Sequence, residues 1–131
     1  MAEEKGMNNI KGAGIDLVEI GRIKKAYLKF PEKFRRRIFT LGEQEYIFCQ
    51  RLPWERLAAR FAAKEAVMKA LGCGWGQVGF KEIEVINDSS GKPQVVLWGK
   101  AAAAAQNLEI KKIIVSLSHS REYAVAHAIV C

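Results

Sequence analysis

The first third of the chain has a hydrophobic pattern that predicts one strand followed by two helices. Apolar side chains recur at every second position in Ala13, Ile15 and Leu17, a spacing typical of a strand. Apolar residues at helical spacing follow from about 19 to 29, and Pro31 suits the first turn of a second, short helix. We therefore expect a strand that leads directly into helices.

Two further helices are predicted before residue 72. Thr40 and Glu43 have the spacing of a capping box, which indicates a helix that runs to about residue 50. A longer helix is expected from about 54 to 71. Gly72 suits the position just after it, because glycine readily adopts the left-handed conformation found there.

The rest of the chain predicts strands with one short helix among them. The strand patterns lie near 80–86, 94–98, 112–118 and 123–130, and an alanine-rich helix lies near 101–108. The expected fold is α+β, with an N-terminal strand and helices packed on a mostly antiparallel sheet. We expect a single domain from 10 to 131, preceded by a mobile N-terminal extension at 1–9.

The long helix sets an acid and a lysine among its core-facing positions. With about 100° per residue and Leu57 at zero, Glu65 falls at about 80° and Lys69 at about 120°, between apolar and small residues. A half-buried carboxylate needs a counter-charge or a metal, because desolvating it alone is costly. The i, i+4 spacing fits an ordinary helix ion pair equally well, so the pattern leaves both interpretations open.

The net charge of +7 comes from one segment. Residues 22–37 hold eight basic residues and one acid, whereas the remaining chain holds 13 basic and 13 acidic residues. Such local basicity indicates an anionic partner at one face. A nucleic-acid-binding module that uses this segment is one function it suggests, and a merely solvated basic face is the plainer alternative.

Other bulk features narrow the class of protein. No apolar run approaches the ~20 residues that a membrane span needs, and residues 1–5 are polar, unlike a signal peptide. The three cysteines lie far apart and form no metal-binding spacing. We expect a cytoplasmic protein with no membrane partner.

Four segments together resemble one enzyme family. Gly14 and Asp16 with Arg22 match its Gly-x-Asp motif and arginine, and residues 61–72 match its Phe-x-x-Lys-Glu-Ala-x-x-Lys-x-x-Gly motif without a gap. The turn Gly91-Lys92-Pro93 and the stretch Ser116-Leu117-Ser118-His119-Ser120 match as well. The chain resembles the holo-acyl-carrier-protein synthases, the small type of 4′-phosphopantetheinyl transferase, from about Ile10 onwards.

The resemblance implies transfer of 4′-phosphopantetheine from coenzyme A to a serine of an acyl carrier protein, in fatty acid biosynthesis. It implies that Asp16 and Glu65 bind Mg²⁺, a cation that favours carboxylate, phosphate and water oxygens. Glu65, Lys69 and His119 are then the candidate catalytic residues: Glu65 to take the serine proton, directly or through a metal-bound water, and Lys69 to neutralise charge on the pyrophosphate. Without the family match, Asp16 would be read as a helix cap.

The resemblance also implies contacts to the coenzyme. The candidates are Arg60, Lys64, Gly91, Lys92, Pro93, Ser118 and His119. The Gly91–Pro93 turn is expected near the nucleotide end. The plainer alternative for His119 is a core residue that continues the apolar face of Ile113, Val115 and Leu117.

The basic segment and the size of the chain complete the expectation. Acyl carrier proteins are acidic, and a cationic helix would steer one in. The candidate docking residues are Arg22, Lys25, Lys29, Lys33 and Arg37. By resemblance, small members form homotrimers with active sites between subunits, so we expect a partner copy to complete the site.

Overall fold

The computed structural model describes residues 9–74 and 76–131. The predicted mobile extension, apart from Asn9, lies outside these residues. Within the described ranges the chain forms five α-helices and five strands. The helices are α1 (Ile20–Lys29), α2 (Pro31–Ile38), α3 (Leu41–Phe48), α4 (Trp54–Ala70) and α5 (Gly99–Asn107). The strands are β1 (Gly12–Glu19), β2 (Ile83–Asn87), β3 (Pro93–Leu97), β4 (Ile113–His119) and β5 (Tyr123–Val130).

The strands form two antiparallel sheets. One has the order β1-β5-β4 and the other is the β2–β3 hairpin. α4 packs on β1 and β5, and β3 lies against β4. The α+β prediction is confirmed. The largest difference in a boundary is at β2, which begins only at Ile83 because residues 80–82 form a single 3₁₀ turn.

The helix ends follow from their local sequence. Pro31 occupies the first turn of α2, and Thr40 and Glu43 form the predicted capping box of α3, with bonds of 3.2 and 2.9 Å. After α4, Gly72 has a φ of 71°. Its N–H donates to the carbonyl of Lys69, and the next N–H, from Cys73, donates to that of Met68, which is the Schellman pattern.

Two glycines let β1 lie directly on α4. A Cβ on Gly12 would lie 2.0 Å from the carbonyl oxygen of Ala70, and one on Gly14 would lie 2.0 Å from that of Ala66. Only glycine permits a backbone approach this close. The strand is thereby held against the last two turns of α4, and this contact positions the residues described next.

Candidate active site

The carboxylate of Asp16 and the ammonium of Lys69 meet at the contact between β1 and α4. Lys69 Nζ lies 3.2 Å from Asp16 Oδ1 and donates to the carbonyl of Ile15 at 3.0 Å. The Asp16 side chain is only 12% exposed, whereas that of Lys69 is 55% exposed. Asp16 does not cap α1, because the N-cap residue is Glu19 and the helix has no side-chain cap hydrogen bond. The helix-cap alternative is therefore excluded.

Glu65 lies on the same side of α4 as Lys69, one turn earlier. Gly12 lies against Ala70 and Gly14 against Ala66, so β1 runs antiparallel to α4. Two strand residues advance about 6.6 Å and four helix residues about 6 Å. The next inward strand residue, Asp16, therefore lies about one turn further toward the start of α4, near the level of Ala62, which is three residues before Glu65. The structure thus brings the two predicted carboxylates to one side of one helix.

The Asp16 side chain fits a magnesium ligand. Its Oδ2 is buried and has no hydrogen-bond partner among the described residues, and such an oxygen is suited to a metal ion or another donor. No group of three or more His, Cys, Asp or Glu side chains with metal-binding geometry occurs in the ranges 9–74 and 76–131. Two carboxylates are enough for Mg²⁺, which keeps waters and substrate phosphates as its other ligands.

A separate cavity of about 420 Å³ lies at the start of α4. It is bounded by the first two turns of α4, the end of β2, the turn before β3, and β4. Five predicted coenzyme contacts line it: Arg60, Gly91, Lys92, Pro93 and His119. Its basic lining suits an anionic group, such as a phosphate.

Arg60 is fixed in the wall of this cavity. Its guanidinium donates to the carbonyl of Val85 at 2.8 Å and to Asn87 Oδ1 at 2.7 Å. It also lies 4.3 Å from the ring centroid of Tyr46, and Arg56 lies over the same ring at 4.2 Å. Sequence analysis did not identify Tyr46 or Arg56, because neither belongs to a recognisable motif.

The Tyr46 hydroxyl is influenced by both arginines. Burial alone would raise its pKa, but hydrogen bonds from Arg60 and Asn87 and the charges of Arg60 and Arg56 lower the pKa below its ordinary value. A phenol in these surroundings is a strong hydrogen-bond donor. Tyr46 therefore adds a polar group to the cation-rich lining.

His119 ends β4 at the edge of the cavity. Its Nδ1 lies 3.2 Å from Glu55 Oε2 in the first turn of α4, and both side chains are about half exposed, at 45% and 53%. This position excludes the alternative of a buried core histidine. Sequence analysis did not identify Glu55, whose partner lies far away along the chain.

The turn between β2 and β3 is held by Asp88. Its Oδ1 accepts from the N–H of Ser90 at 2.8 Å, from the hydroxyl of Ser90 at 2.6 Å and from the N–H of Lys92 at 2.9 Å. The hydroxyl and backbone donors lower the pKa of this carboxyl. Gly91 has a φ of 87°, so the turn needs glycine there. Lys92 and Pro93 are thereby presented to the cavity.

The structure conflicts with a phosphate contact for Lys64. Its side chain is fully buried, ion-paired with Glu43 Oε1 at 2.6 Å, and donates to the carbonyls of Phe80 at 2.9 Å and Ile83 at 2.7 Å. Burial lowers the pKa of Lys64 to about 8, and the charge of Glu43 limits the shift. All three ammonium hydrogens are engaged, so Lys64 joins α4 to α3 and β2 and is not available to a ligand.

Ser118 does not line the cavity. It lies on the outer face of the three-stranded sheet, beside a shallow depression of about 330 Å³ lined also by Ile15, Val125 and His127. The outer face also exposes large apolar side chains, among them Ile15 at 60% and Leu17 at 64%. A solvated sheet face is normally polar, so this one has the character of a covered surface.

Within one chain the predicted site is divided in two. Arg60 and Lys69 are about 180° apart around the axis of α4, because successive residues advance by about 100°. Arg60 therefore points away from Lys69, whereas Glu55, which also lines the cavity, is only about 40° from Lys69 around the axis. The cavity is lined by the first two turns of α4 and Lys69 lies in its last turn, so the two parts of the predicted site are separated mainly along the helix.

The five predicted docking residues are all exposed on α1 and α2: Arg22, Lys25, Lys29, Lys33 and Arg37. Arg35, in contrast, turns inward, donating to the hydroxyl of Tyr27 at 2.7 Å and lying over the ring of Phe48. Exposed Phe30 lies among these cations. The surface combines positive charge with an aromatic side chain.

Comparison with known proteins identifies the family. The sequence model of the 4′-phosphopantetheinyl transferase superfamily matches residues 12–128, so the chain belongs to this superfamily. Within it, the chain is similar to holo-[acyl-carrier-protein] synthases. That of Natranaerobius thermophilus is 48% identical over 120 residues, which cover 92% of this chain and 96% of the relative. The resemblance based on sequence motifs is confirmed.

Solved structures agree with the fold. The holo-[acyl-carrier-protein] synthase of Neisseria meningitidis is 32% identical with a TM-score of 0.85, over 94% of this chain and 99% of that one. The Bacillus anthracis synthase, in complex with coenzyme A (3′,5′-ADP), is 39% identical with a TM-score of 0.75, over 92% and 96%. No helix among the described residues is long and apolar enough to span a membrane.

Proposed function

We propose that the protein transfers 4′-phosphopantetheine from coenzyme A to a serine of an apo acyl carrier protein and releases adenosine 3′,5′-bisphosphate. The observation that carries this proposal is membership of the transferase superfamily across residues 12–128, with a 39% identical relative solved in complex with coenzyme A. The nucleic-acid-binding alternative finds no support in these likenesses. We place the reaction in fatty acid biosynthesis in the cytoplasm.

The carboxylates of Asp16 and Glu65 would hold Mg²⁺. The buried, unpartnered Oδ2 of Asp16 supports this assignment, and helix geometry puts Glu65 on the Lys69 side of α4. When bound, the ion neutralises phosphate charge and helps to orient the pyrophosphate of coenzyme A. Lys69, already in contact with Asp16, adds a positive charge on the same side of the helix.

The chemical step forms one bond and breaks another at phosphorus. The serine oxygen of the carrier protein bonds to the phosphorus next to the pantetheine. The P–O bond to the adenosine 5′-phosphate breaks, and its electron pair leaves with the bisphosphate. Glu65 accepts the serine proton, and Lys69 stabilises the negative charge of the departing group. Positioning and charge neutralisation supply most of the catalysis in such transfers.

The cavity at the start of α4 would bind the nucleotide end of coenzyme A. Arg60, Lys92 and His119 supply positive or polar contacts, and Gly91 and Pro93 form its rim. Arg60 is the most firmly fixed of these, through Val85 and Asn87. Ser118 would contact the coenzyme only from the outer face of the sheet.

A homotrimer would unite the two halves of the site. The cavity lies at the first two turns of α4 and Lys69 lies in its last turn, so a neighbouring copy would bring a second cavity close to the Asp16–Lys69 pair. The apolar outer face of the β1-β5-β4 sheet offers a surface for that copy, since Ile15 and Leu17 are both largely exposed in one chain. Sedimentation equilibrium would reveal a mass of three chains, whereas a monomer at micromolar concentration would contradict the assignment.

The exposed cations on α1 and α2 would dock the acidic carrier protein. Arg22, Lys25, Lys29, Lys33 and Arg37 remain accessible, and Phe30 supplies an apolar contact between them. Surface charges of this kind act mainly on the association rate and on its salt dependence.

The experiment that tests the function is a mass measurement. The protein is incubated with apo acyl carrier protein and coenzyme A, with Mg²⁺ or with a chelator, and the carrier is weighed. We expect the carrier to gain one phosphopantetheine with Mg²⁺ and none with the chelator. No gain with any divalent metal would refute the transfer, and an equal gain with the chelator would refute the metal.

A further inference from the structure

Glu55 and His119 form a contact that no motif of the family resemblance contains. Glu55 lies in the first turn of α4 and His119 is the last residue of β4, and Oε2 and Nδ1 are 3.2 Å apart. Both line the cavity together with Arg56, Arg60 and Lys92. The pair therefore joins the start of the helix to the end of the strand at the wall of that cavity.

The chemistry of the two groups fixes where the imidazole proton lies. An ionised carboxylate only accepts hydrogen bonds, so the Nδ1 that faces it carries the hydrogen. Nε2 is then the ring nitrogen that remains for a ligand in the cavity. Without Glu55, the ring of His119 would lose this restraint on its proton and its rotation.

Glu55 lies in a positive electrostatic environment. An acid in the first turn of a helix is stabilised by the positive end of the helix dipole. The other charged groups around the cavity are the cations of Arg56 and Arg60 on α4 and of Lys92 in the turn before β3. Among the described residues that line the cavity, Glu55 is the one carboxylate.

We propose that Glu55 is a positioning residue that orients His119, so that Nε2 is presented to the phosphate-bearing nucleotide end of coenzyme A. This inference rests on the proposed function for the identity of the ligand. An exposed side-chain contact of this kind contributes little to stability. Removing Glu55 should therefore affect coenzyme binding while the free energy of unfolding stays unchanged.

The first test does not depend on transfer activity. The chain has two histidines, so ¹H–¹⁵N spectra of their rings can be assigned with a His127→Gln variant. Without coenzyme, we expect His119 to carry a proton on Nδ1 in the native protein. Glu55→Ala should shift it toward a mixture of tautomers. An unchanged His119 spectrum would overturn the proposal, even if the transfer reaction were confirmed.

The second test separates coenzyme binding from carrier binding. Glu55→Ala should raise the KM for coenzyme A about tenfold, the effect of losing one hydrogen bond to a charged group. The KM for the carrier should change less than about twofold. Glu55→Gln, which can still accept from Nδ1, should fall between. Glu45→Ala removes an exposed acid outside the cavity and should behave like the native protein.

A double-mutant cycle decides whether Glu55 acts through His119. In a His119→Ala background, Glu55→Ala should have no further effect on the KM for coenzyme A, because its partner is already absent. An equal loss in both backgrounds would show that Glu55 acts independently and would overturn the proposal.

Discussion

Replacing Lys64 by methionine should destabilise the fold by about 4 kcal/mol and leave the chemistry of the site in place. The Lys64 ammonium is paired with Glu43 at 2.6 Å and donates to two backbone carbonyls, of Phe80 and Ile83, at 2.9 and 2.7 Å. Removing one member of a buried ion pair costs about 3–5 kcal/mol, because the other charge is left buried without its partner.

Two features place the cost near the middle of that range. Glu43 retains hydrogen bonds from the N–H groups of Thr40 at 2.9 Å and Val85 at 2.8 Å, which limits the loss. The carbonyls of Phe80 and Ile83 lose their donor, which increases the loss of stability, because a buried group left without a hydrogen bond costs about 1–3 kcal/mol. For a domain of this size, about 4 kcal/mol lowers the Tm by roughly 10–20 °C.

The assay is urea unfolding followed by circular dichroism at one fixed protein concentration, because stability depends on concentration if the chain is an oligomer. Lys81→Met is the matched control, since Lys81 is exposed and should change stability by less than about 0.5 kcal/mol. Adding Glu43→Gln to Lys64→Met should recover about 1 kcal/mol or more, because no unpaired charge remains.

Two results would refute this reasoning. The first is a loss below about 1 kcal/mol for Lys64→Met, since a buried pair cannot lose a partner so cheaply. The second concerns activity at a temperature where the variant is folded. We expect a kcat/KM for coenzyme A within a few-fold of the native value. A hundredfold loss would instead support the phosphate contact that the sequence suggested for Lys64.

Three further predictions concern other parts of the structure. The pKa of Lys64 in the folded protein, about 8, is below its value in the unfolded chain, so the free-energy cost of burying the protonated ammonium is complete below pH 8 and falls as pH rises further. The stability of the native protein relative to Lys64→Met should therefore increase from pH 8 to 10. A decrease would contradict the lowered pKa. Gly14→Ala should destabilise by about 3 kcal/mol or more in urea unfolding, because its Cβ would meet the backbone of α4 at 2.0 Å, whereas Gly21→Ala, with open space around it, should be neutral or stabilising. Lys25→Glu should raise the KM for the carrier protein several-fold and leave the KM for coenzyme A unchanged. Lys111→Glu, outside the basic segment, is the control and should change neither KM. An unchanged KM for the carrier in Lys25→Glu would show that α1 is not part of the docking surface.

Sequence analysis predicted the order and type of the elements well because their signals are local. The capping box at Thr40 and the glycine at 72 mark helix ends through bonds that span only a few residues. The strand at 123–130 was predicted with its observed bounds. The 3₁₀ turn at 80–82 was predicted as strand, because a single turn leaves too few residues for a periodic signal.

The site was predicted less completely because its contacts are distant along the chain. A helical wheel shows which face of α4 Lys64 occupies, but it does not show that Glu43 lies opposite that face and pairs with Lys64. For the same reason the pattern did not reveal Glu55 beside His119, or Tyr46 between Arg56 and Arg60. Motif resemblance supplied residue identities, and only the fold showed that they divide between the first turns and the last turn of α4.

Subunit complementation tests the central claim, that two chains together build each active site. Asp16→Asn should inactivate the metal side and His119→Ala the coenzyme side, so each variant alone should transfer phosphopantetheine slowly. If the site lies between subunits, mixing the unfolded variants in equal amounts and refolding them together should restore about a quarter of the native sites, each built from two intact halves. The carrier's mass gain measures this recovery. A mixture no more active than the average of the two variants would contradict a site shared between chains.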